Sequence, residues 1–113
     1  MVTFNPGRAD QGAVFDYQLA RLIALVDDMK EIRSGVSPER LVADPPILER
    51  WAMARRPAMC LMGLSAGHPL LPGDGRAIVT SDLCLLADDQ TWARTLSRWY
   101  RLGRPADSPI GDS

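Results

Sequence analysis

The chain has 113 residues, 46% of them hydrophobic and 24% charged, with a formal net charge of −1. That length supports one ordinary domain, the composition excludes wholesale disorder or a fibrous repeat, and near-neutrality excludes a global field that would draw the molecule to nucleic acid or anionic lipid. No apolar run approaches the roughly 20 residues needed to cross a bilayer, and the N-terminus lacks a basic stretch followed by an apolar one. The expectation is a cytoplasmic protein with no membrane partner.

Residues 1–12 carry Pro6, Gly7 and Gly12 with few large apolar side chains, the composition of a loosely docked arm, with Phe4 and Phe15 as anchors at its ends. From Asp16 to Arg33, Leu19, Leu22, Ile23, Val26, Met29 and Ile32 recur at three- and four-residue intervals, which predicts a helix with one apolar face. Asp27, Asp28 and Glu31 then fall on its solvated side beside Lys30 and Arg33. Gly35 suits the helix stop. Ser37 and Pro38 suit the cap and first position of a short helical turn reaching Ala43. The same grammar at Asp44 and Pro45 predicts a second helix over 45–55, ended by Pro57 and burying Leu48, Trp51 and Ala52.

After Pro57 the apolar stretches "AMCLMGLSAGHPLL" and "RAIVTSDLCLLA", separated by "PGDG", read as antiparallel strands. "DDQ" at 88–90 is either a hairpin turn or a helix cap. The segment from Thr91 to Pro105 holds Trp92, Trp99, Tyr100 and four arginines with no acidic residue. Helical periodicity stacks Trp92, Leu96 and Trp99 on one stripe and Arg94, Arg98 and Arg101 on another, with Gly103 as the stop. Simple alternation along a strand mixes Trp92, Leu96, Tyr100 and Leu102 with Arg94 and Arg98, a poorer pattern.

The strings "GHPLLPGDGRAIVTSDL" and "ARTLSRWYRLG" resemble a family of uncharacterised short bacterial proteins, alphaproteobacterial ones especially, that carry G-H-P, then T-S, then R-T-x-S-x-x-Y-x-L-G. The resemblance covers roughly Gly63 to Arg104 and implies no activity. Looser relatives with Ser-Gly after the R-T imply a two-residue hairpin turn there. This chain has Ser97 and Arg98 at that point, and arginine disfavours the positive φ of such turns. With the resemblance included, the expected fold class is α+β: N-terminal helices packed on a small C-terminal antiparallel sheet or SH3-like partial barrel. The expected divisions are an arm at 1–12, a helical half at 13–56, a β-rich half at 57–104 and a flexible tail at 105–113.

Candidate chemistry is sparse. His68 is the only histidine, and catalysis would need a partner such as Ser65, Ser81 or Asp82, none of which sits in a nucleophile motif. A turn fixed through the ring nitrogen explains Gly-His-Pro more simply. One histidine and two widely spaced cysteines, Cys60 and Cys84, do not make a zinc pattern, and the cysteines are expected as buried free thiols. "PGDGR" lacks the lysine of a phosphate loop. Met53, Met59 and Met62 are expected to fill core gaps, with a partner groove as the alternative.

No catalytic set, metal or cofactor is therefore expected. The expected function is that of a small non-enzymatic binding or regulatory protein acting through a protein partner, with a second copy of the chain as one candidate. The binding residues would be Arg94, Arg98, Trp99, Tyr100, Arg101 and Arg104, since arginine and aromatic side chains anchor interfaces. The same residues suit a nucleic-acid-binding regulator built on the segment 92–104, the alternative reading, with Arg55 and Arg56 extending its patch.

Overall fold

A computed structural model describes residues 1–70 and 73–106. The tail expected at 105–113 lies, from residue 107 onward, outside the described residues. The protein is α+β, with one long helix, a four-stranded mixed sheet and a two-stranded sheet. Its contacts divide into two compact units, residues 11–56 and residues 1–10 with 57–113.

The first unit holds helix α1, Ala13–Arg33, three residues longer at its start than the apolar spacing alone requires. Its end is set by local backbone chemistry. Gly35 adopts φ +91°, and the Gly35 and Val36 amides donate to the Ile32 and Glu31 carbonyls, which satisfies carbonyls that the last turn leaves orphaned. The helix buries none of its residues. Asp27, Asp28 and Glu31 are exposed, as a solvated face requires. A 3₁₀ turn follows at Pro38–Arg40, opened by Ser37. The Glu39 carboxyl is held below its usual range by its own backbone amide and by the Ser37 hydroxyl.

The second helix expected over 45–55 does not form. Pro46 restricts Pro45 to extended conformations, and Arg50 takes φ 52°, a left-handed value incompatible with a continuing helix. Leu48 and Trp51 are exposed, Trp51 at 68%, so the expected burial of Leu48, Trp51 and Ala52 is corrected. Met53, Met59 and Met62 are likewise exposed and fill no core gap. Trp51→Ala is accordingly expected to change stability by no more than ~0.5 kcal/mol, read from the midpoint of urea unfolding, where emptying a packed tryptophan site would cost about 3–5 kcal/mol.

In the second unit, strand β1 (Val2–Phe4) pairs in parallel with β4 (Leu83–Ala87), which pairs antiparallel with β5 (Trp92–Thr95), and β5 with β6 (Trp99–Arg101). The sheet order is β1-β4-β5-β6, with β1 and β6 at its edges. The stretch 1–12 is thus more than an arm: residues 2–4 are a sheet strand, and their pairing makes mixed a sheet expected to be antiparallel. A separate antiparallel ribbon joins β2 (Met62–Ser65) to β3 (Arg76–Val79). The Leu61 amide donates to the Thr80 hydroxyl at 2.9 Å and the Leu83 amide to the Met59 carbonyl at 2.8 Å, which ties the ribbon's base to the entry of β4.

The apolar core is small and lies at the centre of the four-stranded sheet: Leu83, Ala87 and Ala93 are buried. Thr95 is the buried polar residue beside them, 1% exposed. Register shifts between Leu83 and Leu85, so Cys84 occupies an irregularity and its thiol points to the Asp82 carbonyl at 3.6 Å. Both cysteines are free, but Cys60 is exposed and Cys84 half-buried, a correction to the buried thiols expected from their apolar neighbours.

Candidate functional site

The segment 91–102 is a hairpin, and its turn shows how non-glycine residues close it. Thr95 and Arg98 flank the two turn residues, Leu96 and Ser97, neither of which takes a positive φ. The Thr95 amide donates to the Arg98 carbonyl at 2.9 Å. The Thr95 hydroxyl accepts from the Ser97 and Arg98 amides, each at 3.2 Å, and donates to the Arg98 carbonyl at 3.2 Å. A threonine hydroxyl used this way supplies the bonds that a glycine-type turn would obtain from backbone geometry. The Leu96 amide donates to the Asp82 carbonyl and the Ser81 and Ser97 hydroxyls share a 2.8 Å bond, so the turn is also stitched to the connection that precedes β4.

At the other end of β5, residues 88–90 make a hairpin turn and not a helix cap. Gln90 takes φ 59° and its amide donates to the Ala87 carbonyl at 2.9 Å. The Asp89 carboxylate accepts from both the amide and the hydroxyl of Thr91. The Asp88 amide donates to the Phe4 carbonyl at 2.8 Å, which fixes the end of β1 beside the turn.

A two-residue turn reverses side-chain parity, so even-numbered residues of β5 share a face with odd-numbered residues of β6. Trp92 lies opposite Arg101, and Arg94 opposite Trp99. Continuing the register, Leu85, Val2 and Phe4 join the same face. Phe4 meets Trp99 edge-on at 5.8 Å, and Trp99 meets Trp92 edge-on at 6.3 Å, with ring planes 89° apart. The Arg101 guanidinium lies 4.9 Å from the centre of the Trp92 ring, a cation–π arrangement. Trp99 remains 50% exposed and Trp92 36%. This is an open aromatic face with a cation held on it.

The expected binding residues divide between the two faces. Arg94, Trp99 and Arg101 come together on the tryptophan face, and Arg94 is half-buried with its guanidinium donating to the Thr95 carbonyl at 2.8 Å. The register puts Tyr100 opposite Ala93, on the reverse face, where its ring lies 6.3 Å from that of His68. Arg98 sits at the base of the turn and is half-buried, and Arg104 is exposed beyond β6. Trp92 and Phe4 complete the aromatic face although the pattern of 91–105 alone does not select them. The turn lies at Leu96 and Ser97, one residue before the Ser97–Arg98 position that the family resemblance implies, and it is this placement that sets Trp92 against Arg101. Phe4 carries no local signal.

His68 is engaged structurally: its Nδ1 accepts from the Leu70 amide at 3.1 Å, which requires that nitrogen to be unprotonated. No hydrogen bond joins it to Ser65, Ser81 or Asp82 among the described residues. The Asp74 carboxylate accepts from the Gly67 amide at 3.3 Å across the same loop. Among the described residues, no group of three or more metal-ligating side chains converges, and no helix is long and apolar enough to cross a membrane.

Fold and site together define an α+β protein with an open tryptophan–arginine sheet face. The chain belongs to the Family of unknown function (DUF6634), whose model matches residues 11–111, a span that includes β5 and β6 but not β1. No curated protein and no solved structure matches the chain.

Proposed function

We propose that this is a small non-enzymatic binding protein that acts in the cytoplasm as a regulator through a protein partner, using the face formed by Phe4, Trp92, Arg94, Trp99 and Arg101. The observation that carries this reading is the half-exposed pair of edge-on tryptophans with Arg101 held over one ring. Rigid aromatic side chains supply large contact area for little lost side-chain freedom, and tryptophan and arginine dominate the energetics of protein interfaces. The face is pre-organised: the Phe4 contact and the Thr95-centred turn fix the ring positions before any partner arrives. A second copy of the chain is one candidate partner.

The test is capture of partners from nuclease-treated native lysate by the wild-type protein and by Trp99→Ala, followed by affinity measurement on the captured protein. Trp99→Ala is expected to weaken that complex at least about tenfold, equivalent to ~1.4 kcal/mol. If the variant instead keeps the partner at full affinity, the face is not the binding surface. If capture disappears on nuclease treatment, and a labelled single-stranded oligonucleotide binds with an affinity that falls steeply with salt, a nucleic-acid-binding regulator built on residues 92–104 replaces the protein-binding reading. Sedimentation of the purified wild type and Trp99→Ala shows whether the partner is a second copy.

A further inference from the structure

Strand β6 ends the sheet, and the direction of its backbone groups follows from its pairing. The Thr95 amide donates to the Arg98 carbonyl, and the Leu102 amide donates to the Thr91 carbonyl. In an antiparallel ladder successive residues alternate between facing the partner strand and facing away. Arg98, Tyr100 and Leu102 therefore turn their amides and carbonyls toward β5, while Trp99 and Arg101 turn theirs outward. These outward groups form an unpaired edge, a template for an added strand. The two residues that offer it are the same two that carry β6's side chains on the tryptophan face.

Charge selects what such a strand would be. From Thr91 to Pro105 the chain holds Arg94, Arg98, Arg101 and Arg104 and no acidic residue, and among the described residues no carboxylate pairs with any of these arginines. Arg94 of β5 donates only to a carbonyl and the Arg101 guanidinium lies over the ring of Trp92, so both retain an uncompensated positive charge on the tryptophan face, one strand in from the edge. The β1 edge, by contrast, carries Val2, Thr3 and Phe4 and no charge.

We infer that β6 receives an extended acidic segment of a protein partner by strand addition, its backbone pairing with the outward groups of Trp99 and Arg101 and its alternate carboxylates lying on the tryptophan face, next to Arg101 and directed toward the positive charge that Arg101 and Arg94 place on that face. Main-chain bonds supply affinity in this mode, and alternate side chains supply selectivity. Because residues of an added strand alternate between faces, a segment with acidic residues at every second position delivers all its carboxylates to one side. This inference rests on the protein-partner reading above and specifies the chemistry and geometry of that partner.

The probe is a short labelled peptide alternating glutamate with valine, compared with one alternating lysine with valine, each titrated by fluorescence anisotropy. The acidic peptide is expected to bind at least about tenfold more tightly than the basic one; absence of binding by the acidic peptide overturns the inference. N-methylation of the peptide then tests strand addition directly. Methylating one alternate set of its amides is expected to abolish binding while methylating the other set leaves it intact, because only one set faces the edge. Equal effects of the two sets overturn strand addition.

On the protein side, Arg101→Pro removes one outward donor at an edge position where proline is tolerated, and Arg101→Ala removes only the side chain. The proline variant is expected to bind at least about tenfold more weakly than the alanine variant, and equal affinities count against the edge. Failure here is separable from failure of the broader reading. If Trp99→Ala loses the lysate partner while methylation has no set-specific effect, the face binds its partner through side chains alone. If Trp99→Ala binds lysate partner and peptide as the wild type does, the face itself is misassigned.

Discussion

Ala93→Asp is expected to abolish cooperative folding of the four-stranded sheet. Ala93 is 0% exposed and lies between Leu86 of β4 and Tyr100 of β6, with no cation opposite it in either neighbouring strand. An unpaired carboxylate there costs about 3–5 kcal/mol, a large part of the stability of any small domain. The measurement is urea unfolding followed by the fluorescence of Trp92 and Trp99 in a Trp51→Phe background. Leu96→Asp is the control, since Leu96 occupies the turn at 71% exposure and its substitution is expected to stay within ~0.5 kcal/mol. A cooperative transition in Ala93→Asp matching that of the control would remove Ala93 from the core.

The second large effect falls on the turn. Thr95→Val keeps the shape of the side chain but removes the hydroxyl that accepts from the Ser97 and Arg98 amides and donates to the Arg98 carbonyl. A buried hydrogen-bonding group left without its partner costs about 1–3 kcal/mol, and the valine variant is expected to lose stability in that range. Thr95→Ser restores the hydroxyl and is expected to recover most of the loss. Because the turn sets the parity of β6, Thr95→Val is also expected to weaken partner binding through displacement of Trp99 and Arg101. Equal midpoints for Thr95→Val and the wild type would show that the hydroxyl does not hold the turn.

What the sequence made legible depended on whether its signals were local. Helix α1 announces itself through the spacing from Leu19 to Ile32 and through Gly35, because both signals act within one turn of the residues they govern. The segment 45–55 offered equally local signals, a cap and a proline start, yet the adjacent Pro45 and Pro46 and the left-handed Arg50 override them. The strands at 92–95 and 99–101 fall within the β-rich half at 57–104 that the family resemblance implies, but periodicity alone does not mark them. One parity carried straight through 91–102 orders helical stripes better than alternation, whereas mirroring about Leu96 and Ser97 gathers Trp92, Arg94, Trp99 and Arg101 on one side. Strand β1 is three residues long, its partner lies far along the chain, and no periodicity over three residues could have marked it.

That parallel pairing of β1 with β4 orders the events of folding. Val2–Phe4 leaves the ribosome before α1, the β2–β3 ribbon and its own partner have been made, and it must stay unpaired until Leu85–Ala87 appears. The β4–β5–β6 meander, joined by two tight turns, closes over short loops and forms on contacts near in sequence, whereas β1 adds the longest loop closure in the sheet and so docks late. Until it docks, both sides of the nascent meander are open edges, and Trp99 lacks the Phe4 ring that rests against it in the finished fold. The interval between synthesis of the meander and arrival of β1 is therefore when newly made chains are most exposed to pairing with one another.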